Sequence, residues 1–144
     1  MKRAAQAVWK GTGLEGKGTL TTPSGVFKDQ PYSFVSRFKN EDGTLGTNPE
    51  ELVAAAHAGC FNMALSFQLV GAGFTAEKLN TTSEITMENF DGDFKFTHIQ
   101  LNMKASVPGI SKEKFEELAT VAKKNCPISK ALEAVEISLK YELE

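Results

Sequence analysis

The stretch from Thr47 to Gly73 constrains this chain more than any other part of it. It opens with Asn48-Pro49-Glu50-Glu51, a helix start. Asn48 can cap, Pro49 at the first helical position gives up an N–H that would lack a partner anyway, and two acids face the positive end of the helix dipole. From Leu52 to Val70 nearly every residue is apolar or small, until Gly71-Ala72-Gly73 ends the run. A helix apolar almost all round is expected to be buried on more than one side. In a chain of only 144 residues, part of that covering would have to come from a second subunit.

Before this helix the chain reads as strands and turns. Residues 4–9 suit a short strand, and Gly11, Gly13, Gly16 and Gly18 break the next stretch. Thr19 to Thr22 form a second strand, closed by Pro23-Ser24-Gly25. After Pro31, alternation puts Tyr32, Phe34, Ser36 and Phe38 on one face of a third strand, with Arg37 beside Val35 on the other, as an anchored guanidinium would be. Asn40-Glu41-Asp42-Gly43 is a turn signal.

After the helix, Ile85 and Met87 alternate with Glu84 and Glu88, and Asn89 to Asp93 suit a hairpin turn around Gly92. Ile99, Leu101, Met103, Ala105 and Val107 return with period two. Phe94 and Phe96 are out of phase with them, which requires either a sheet apolar on both faces or a bulge. Ser111 caps a second helix with the stripe Phe115, Leu118, Ala119 and Ala122, and Lys123 and Lys124 suit its negative end. Asn125-Cys126-Pro127 interrupts it, one or two further turns follow, and Val135 to Leu143 alternate as a closing strand. The expected architecture is α+β, with antiparallel sheets around a long buried helix in a single domain, 1–144.

Charge narrows the function. Sixteen Lys and Arg against 18 Asp and Glu leave a net −2, without a block of like charges, so neither nucleic acid nor an acidic membrane surface is an expected partner. No run of 18 apolar residues is present, so no membrane span is expected, and the opening residues lack the apolar core of a signal peptide. A cytoplasmic location follows as an expectation. Two cysteines are too few for a disulfide scaffold.

Cys60 and Cys126 are therefore either inert core residues or a redox or nucleophilic pair. Burial of Cys60 in the long helix would make it unreactive unless a cation lies near. Arg37 is one such partner, with Glu50 or Glu51 able to hold its guanidinium by a bidentate pair. His57, three residues before Cys60, is another. Cys126 precedes Pro127 at a helix boundary, where backbone N–H groups favour a thiolate and a side chain is expected to be accessible or able to move. A buried activated thiol and a mobile second thiol would suit a two-step oxidation cycle. The remaining patterns are weaker. His57, Cys60, His98 and Cys126 lack the grouping of a zinc site, no strained elbow surrounds Cys60 as a Cys-His hydrolase would need, and the glycine series lacks a phosphate-binding ending. His98 reads as an ordinary strand residue, and neither a metal nor a cofactor is expected.

The chain resembles the OsmC/Ohr family, and within it the OsmC branch, over essentially its whole length. The resemblance is carried by Gln6-Ala7-Val8-Trp9, Gly16-Lys17-Gly18-Thr19, Gln30-Pro31-Tyr32 and Arg37-Phe38. The centre is the most specific part: Gly46-Thr47-Asn48-Pro49-Glu50-Glu51-Leu52 and Ala55-Ala56-His57-Ala58-Gly59-Cys60-Phe61. Val107-Pro108-Gly109-Ile110 and Cys126-Pro127-Ile128-Ser129 complete it. The resemblance implies an intertwined homodimer with two active sites at the subunit interface. It implies a thiol peroxidase that reduces organic hydroperoxides, and hydrogen peroxide less efficiently, with an external dithiol as reductant. By position it gives Cys60 the peroxidatic role, Cys126 the resolving role, Arg37 the activating role and Glu50 the arginine-orienting role, with Glu51 a neighbour. The rival reading is a non-enzymatic small-molecule binder with an apolar pocket between subunits, lined by Phe61, Met63, Phe67 or Phe94.

Overall fold

The computed structural model describes residues 1–40, 44 and 46–144, and the chain divides into two compact units, Met1–Leu52 and Val53–Glu144. Of the turn expected at 40–43, all but Asn40 lies outside the described residues. In the first unit β1 (Gln6–Lys10), β2 (Lys17–Thr21) and β3 (Gln30–Ser33) form an antiparallel meander. Gly18 is required in β2, because the Tyr32 ring lies where a Cβ would be. Tyr32 also packs on Trp9, with ring centroids 5.3 Å apart.

The strand expected through Phe38 stops at Ser33, and Phe34–Phe38 is a short helix, α1. Local capping overrides the alternating pattern. Ser33 Oγ accepts the Ser36 N–H at 3.1 Å and Ser36 Oγ accepts the Ser33 N–H at 2.9 Å, a reciprocal capping box. Arg37 therefore projects from the last turn of a helix, not from a strand. The start of α2 (Pro49–Gly71) closes this unit. Asn48 Oδ1 accepts the Glu51 N–H at 2.8 Å, as a cap should, and the Thr47 hydroxyl donates to Glu51 Oε2 at 2.6 Å.

The second unit holds the rest of α2, the hairpin β4 (Lys78–Phe90) and β5 (Asp93–Ser106), then α3 (Lys112–Asn125), α4 (Pro127–Ala131) and β6 (Glu136–Leu143). Helix α2 ends in a Schellman turn: Gly73 is left-handed at φ 85°, and the N–H groups of Gly73 and Phe74 donate to Val70 and Leu69. Asp91 and Gly92, both at positive φ, form the two-residue hairpin turn, and Asn89 Oδ1 accepts the Gly92 N–H at 2.6 Å. A bulge opposite Thr86 and Met87, with Thr97 as the extra residue, accounts for the phase of Phe94 and Phe96.

The second sheet is not antiparallel throughout. Strand β6 runs parallel to β5, from His98 opposite Glu136 to Ala105 opposite Leu143. The reason is the connection: α3 and α4 return the chain to the beginning of β5, as a crossover must for a parallel neighbour. The Ser111 cap and all four stripe residues of α3 are as expected, with Phe115, Leu118, Ala119 and Ala122 in the core.

Helix α2 is buried along one stripe rather than all round. His57, Phe61, Leu65 and Leu69 are inaccessible, whereas Met63, Phe67 and Val70 remain 63%, 71% and 64% exposed. Sheet and α3 cover one side only. By length and composition alone α2 could cross a bilayer. Yet Phe61, Leu65 and Leu69 form protein core, and Asn62 bonds the Leu79 carbonyl and the Thr81 hydroxyl of β4, as in a core helix.

Candidate active site

The thiols come together where α2 meets the α3–α4 junction. Cys126 caps α3, its N–H donating to the Ala122 carbonyl at 2.9 Å, and Pro127 directs the chain into α4. Its thiol lies 2.9 Å from Cys60 Sγ, and both cysteines are free. Their exposure reverses the expectation. Cys60 is half-buried and Cys126 is 0% exposed, because α2 packs directly over the helix boundary that the sequence marks as accessible.

The two sulfurs experience different surroundings. Burial pushes the Cys60 thiol up, its bond with Cys126 adds to the rise, and the Ile128 amide only partly opposes it. Burial also pushes Cys126 up, but the bond with Cys60, the amide and hydroxyl of Ser129 and the Ile128 amide outweigh it, so Cys126 stands below its ordinary value. For Cys60 to attack anything as a thiolate, a cation must be supplied to it, as the sequence argument required.

Arg37 and Glu50 are joined in the first unit. Arg37 Nη2 donates to Glu50 Oε1 at 2.6 Å and Nε lies 3.2 Å from both carboxylate oxygens, a forked pair. The guanidinium also stacks over Phe38 at 4.8 Å. Of the two acids that side-chain chemistry alone leaves open, Glu50 takes the arginine and Glu51 the Thr47 hydroxyl. A cleft of about 200 Å³ beside Arg37 is lined by Trp9, Tyr32, Phe34, Phe38 and Pro49.

His57 is not bonded to Cys60. Its Nε2 lies 2.8 Å from Ser129 Oγ, and both residues are buried. Sequence reasoning gave Ser129 no role. The available signal was spacing, since His57 precedes Cys60 by three residues and Cys126 precedes Ser129 by three. His98 lies in β5, 3.8 Å from Glu136. Among the described residues no three His, Cys, Asp or Glu side chains converge as a metal ion would need. Phe61 lies in the core, whereas Met63, Phe67 and Phe94 are exposed.

An α+β frame that holds two free thiols in contact defines a dithiol redox protein. Comparison with known proteins then gives the family. Residues 40–141 match the model described as OsmC-like protein, and the chain belongs to this family, in its OsmC branch. It is 46% identical to Peroxiredoxin OsmC of Escherichia coli K12 over 142 residues, covering 99% of this chain and 96% of that protein. It is 29% identical over 128 residues to Organic hydroperoxide resistance protein OhrB of Bacillus subtilis, covering 88% and 89% of the two chains. The crystal structure of that OhrB aligns with a TM-score of 0.68 at 27% identity, over 98% of each chain. An OsmC-like protein from Mycoplasma pneumoniae aligns with a TM-score of 0.77 at 18% identity, over 99% of this chain and 97% of that one, which establishes the shared OsmC-like fold.

Proposed function

We propose that the protein is a thiol-dependent peroxidase that reduces organic hydroperoxides, and hydrogen peroxide less efficiently. The observation that carries this reading is the contact of Cys60 and Cys126 at 2.9 Å in a chain 46% identical to a peroxiredoxin of the same branch. The Cys60 thiolate attacks the distal oxygen of the hydroperoxide. The O–O bond breaks, the alkoxide leaves and takes a proton to become the alcohol, and Cys60 becomes a sulfenic acid. The Cys126 thiolate then attacks that sulfur. The S–S bond forms, the S–O bond breaks, and hydroxide leaves as water with the proton given up by Cys126. An external dithiol reduces the disulfide.

Arg37, held by Glu50, is the donor that meets the peroxide oxygens, and the aromatic cleft beside it suits an apolar organic group. Its main contribution is orientation. For a thiol in general, a pKa lowered from ~8.5 to ~6 raises the thiolate fraction at pH 7 about 30-fold, while a Brønsted slope of ~0.45 costs about 13-fold in nucleophilicity. The net gain is only roughly twofold. Orientation of the O–O bond, together with stabilisation of charge on the leaving oxygen, must therefore supply most of the rate.

The two units act as one OsmC-like domain, 1–144, in an intertwined cytoplasmic homodimer with two active sites at the subunit interface. The exposed row Met63, Phe67 and Val70 supports this assembly, since a second subunit would cover it. Neither nucleic acid nor a membrane is a partner. Sedimentation at low micromolar concentration should give about twice 15.6 kDa. Titration of free thiols after one equivalent of an organic hydroperoxide should show two thiols lost per chain. No loss would favour the non-enzymatic binder.

A further inference from the structure

The disulfide that ends the oxidative half of the cycle has two sulfurs, and an external dithiol could open it at either. Burial separates them. Cys126 is 0% exposed and closed in by its own chain, with Ala122 one turn before it and Ser129 one turn after it buried as well. Cys60 is only half-buried, and its neighbours on α2 leave room beside it. Ala56 and Gly59 are exposed, and a Cβ added to Gly59 would meet nothing within 4 Å outside its own stretch of helix.

Oxidation leaves this difference in place. The sulfurs already lie 2.9 Å apart, so the S–S bond closes with little movement, and the buried bond of 2.8 Å between His57 Nε2 and Ser129 Oγ ties the segment after Cys126 to α2. A second subunit could only add to the cover on Cys126. At Cys60 it must leave an approach, because hydroperoxide has to reach that sulfur; to this extent the inference rests on the peroxidase reading. A thiolate displaces a disulfide sulfur along the line of the bond that breaks, so a sulfur with no open side is closed to attack.

We propose that the external dithiol opens the disulfide at Cys60, with Cys126 as the leaving sulfur, so that peroxide and reductant meet the same atom through the same opening. One thiol of the reductant, as its thiolate, attacks Cys60 Sγ. The Cys60–Cys126 bond breaks, its electron pair goes to Cys126, and Cys126 takes up a proton in place of the one the reductant gave up. The second thiol then attacks the reductant's own sulfur in the mixed disulfide. Cys60 leaves and is protonated, and the reductant departs as a disulfide, so the protein gains the two hydrogens that the reductant loses. The sulfur contact gives that second thiol its purpose. Cys126, once free, lies beside Cys60 and can expel a bound monothiol, and a second thiol on the same reductant is what competes with that reversal.

The test uses the full wild-type chain, oxidised to its disulfide with diamide so that no peroxide is involved. It is mixed rapidly with excess mercaptoethanol, quenched with acid, and its free thiols are blocked with a maleimide in denaturant. At the earliest times peptide masses should show mercaptoethanol on Cys60 and the maleimide on Cys126, about tenfold or more over the reverse pattern. A majority of the adduct on Cys126, an even split, or a folded disulfide that the thiol does not open would each overturn the proposal. Single-cysteine chains give a second reading, with each rate measured against the same chain in urea. Folding should protect Cys126 in Cys60→Ser from iodoacetamide about tenfold or more beyond its protection of Cys60 in Cys126→Ser, and equal protection would contradict the proposal. Failure of the peroxidase reading looks different: the adduct would map to Cys60 as described while the chain consumed no hydroperoxide.

Discussion

The two units of the chain are held together by different physics. Among the described residues, every fully buried apolar side chain lies in the second unit, from Phe61 to Cys126. The first unit buries Gly16, Gly18, Ser36 and Thr47, and its order comes from backbone pairing, a capping box and the Arg37–Glu50 fork. The difference follows the chemistry each is proposed to carry. Two thiols kept in register need a packed, dry setting, whereas a guanidinium must keep its charge and its donors available and is better placed on a polar scaffold.

Large-to-small substitution should separate the units most sharply. Phe115 is inaccessible at the centre of the second core, so Phe115→Ala should cost about 3–5 kcal/mol in urea unfolding. The polar counterpart, Ser33→Ala, removes the α1 cap and should cost only about 1 kcal/mol. Equal losses would end the contrast between a packed unit and a hydrogen-bonded one.

The next effect is on activity. Arg37→Lys keeps the charge but loses the planar fork, and kcat/KM for an organic hydroperoxide should fall about 10²-fold or more. Glu50→Gln should cost less, about tenfold, because the arginine remains but is held by a weaker neutral acceptor. Steady-state rates for both variants check the order. An Arg37→Lys variant as fast as wild type would show that charge alone matters.

The second unit is the more legible of the two in sequence, for the same reason that it is the better packed. Period-two and period-3.6 patterns record burial, and the stripe Phe115, Leu118, Ala119 and Ala122 and the row Ile99 to Val107 are buried as written. Where short polar contacts decide the structure, the pattern misleads. Phe34 and Phe38 alternate as a strand would, yet the Ser33 and Ser36 hydroxyls turn that segment into α1. The forked pair is legible because Arg and two acids are chemically distinctive; side-chain chemistry leaves Glu50 and Glu51 open, the family resemblance points to Glu50, and Glu50 is the acid in contact with Arg37 while Glu51 takes the Thr47 hydroxyl. The burial of Cys126 runs against the sequence expectation, since a helix boundary marked by Pro127 says nothing about what packs on it. The direction of β6 is likewise invisible to a pattern that reads the same both ways.

Attack of peroxide on Cys60, with Cys126 resolving the product, is read by intact mass after exposure of single-cysteine variants to an organic hydroperoxide. Cys60→Ser should remain at its starting mass, because a hydroxyl is a far weaker nucleophile at neutral pH. Cys126→Ser should consume one equivalent in a fast first turnover and, with excess peroxide, gain two oxygen atoms as the sulfenic acid proceeds to sulfinic acid. Wild type should lose two hydrogens as the disulfide closes. The depressed pKa of Cys126 makes the opposite outcome physically meaningful. If Cys126→Ser stayed inert and Cys60→Ser gained the oxygens, the lower-pKa thiol would be the one that peroxide attacks, and the assignment would be contradicted.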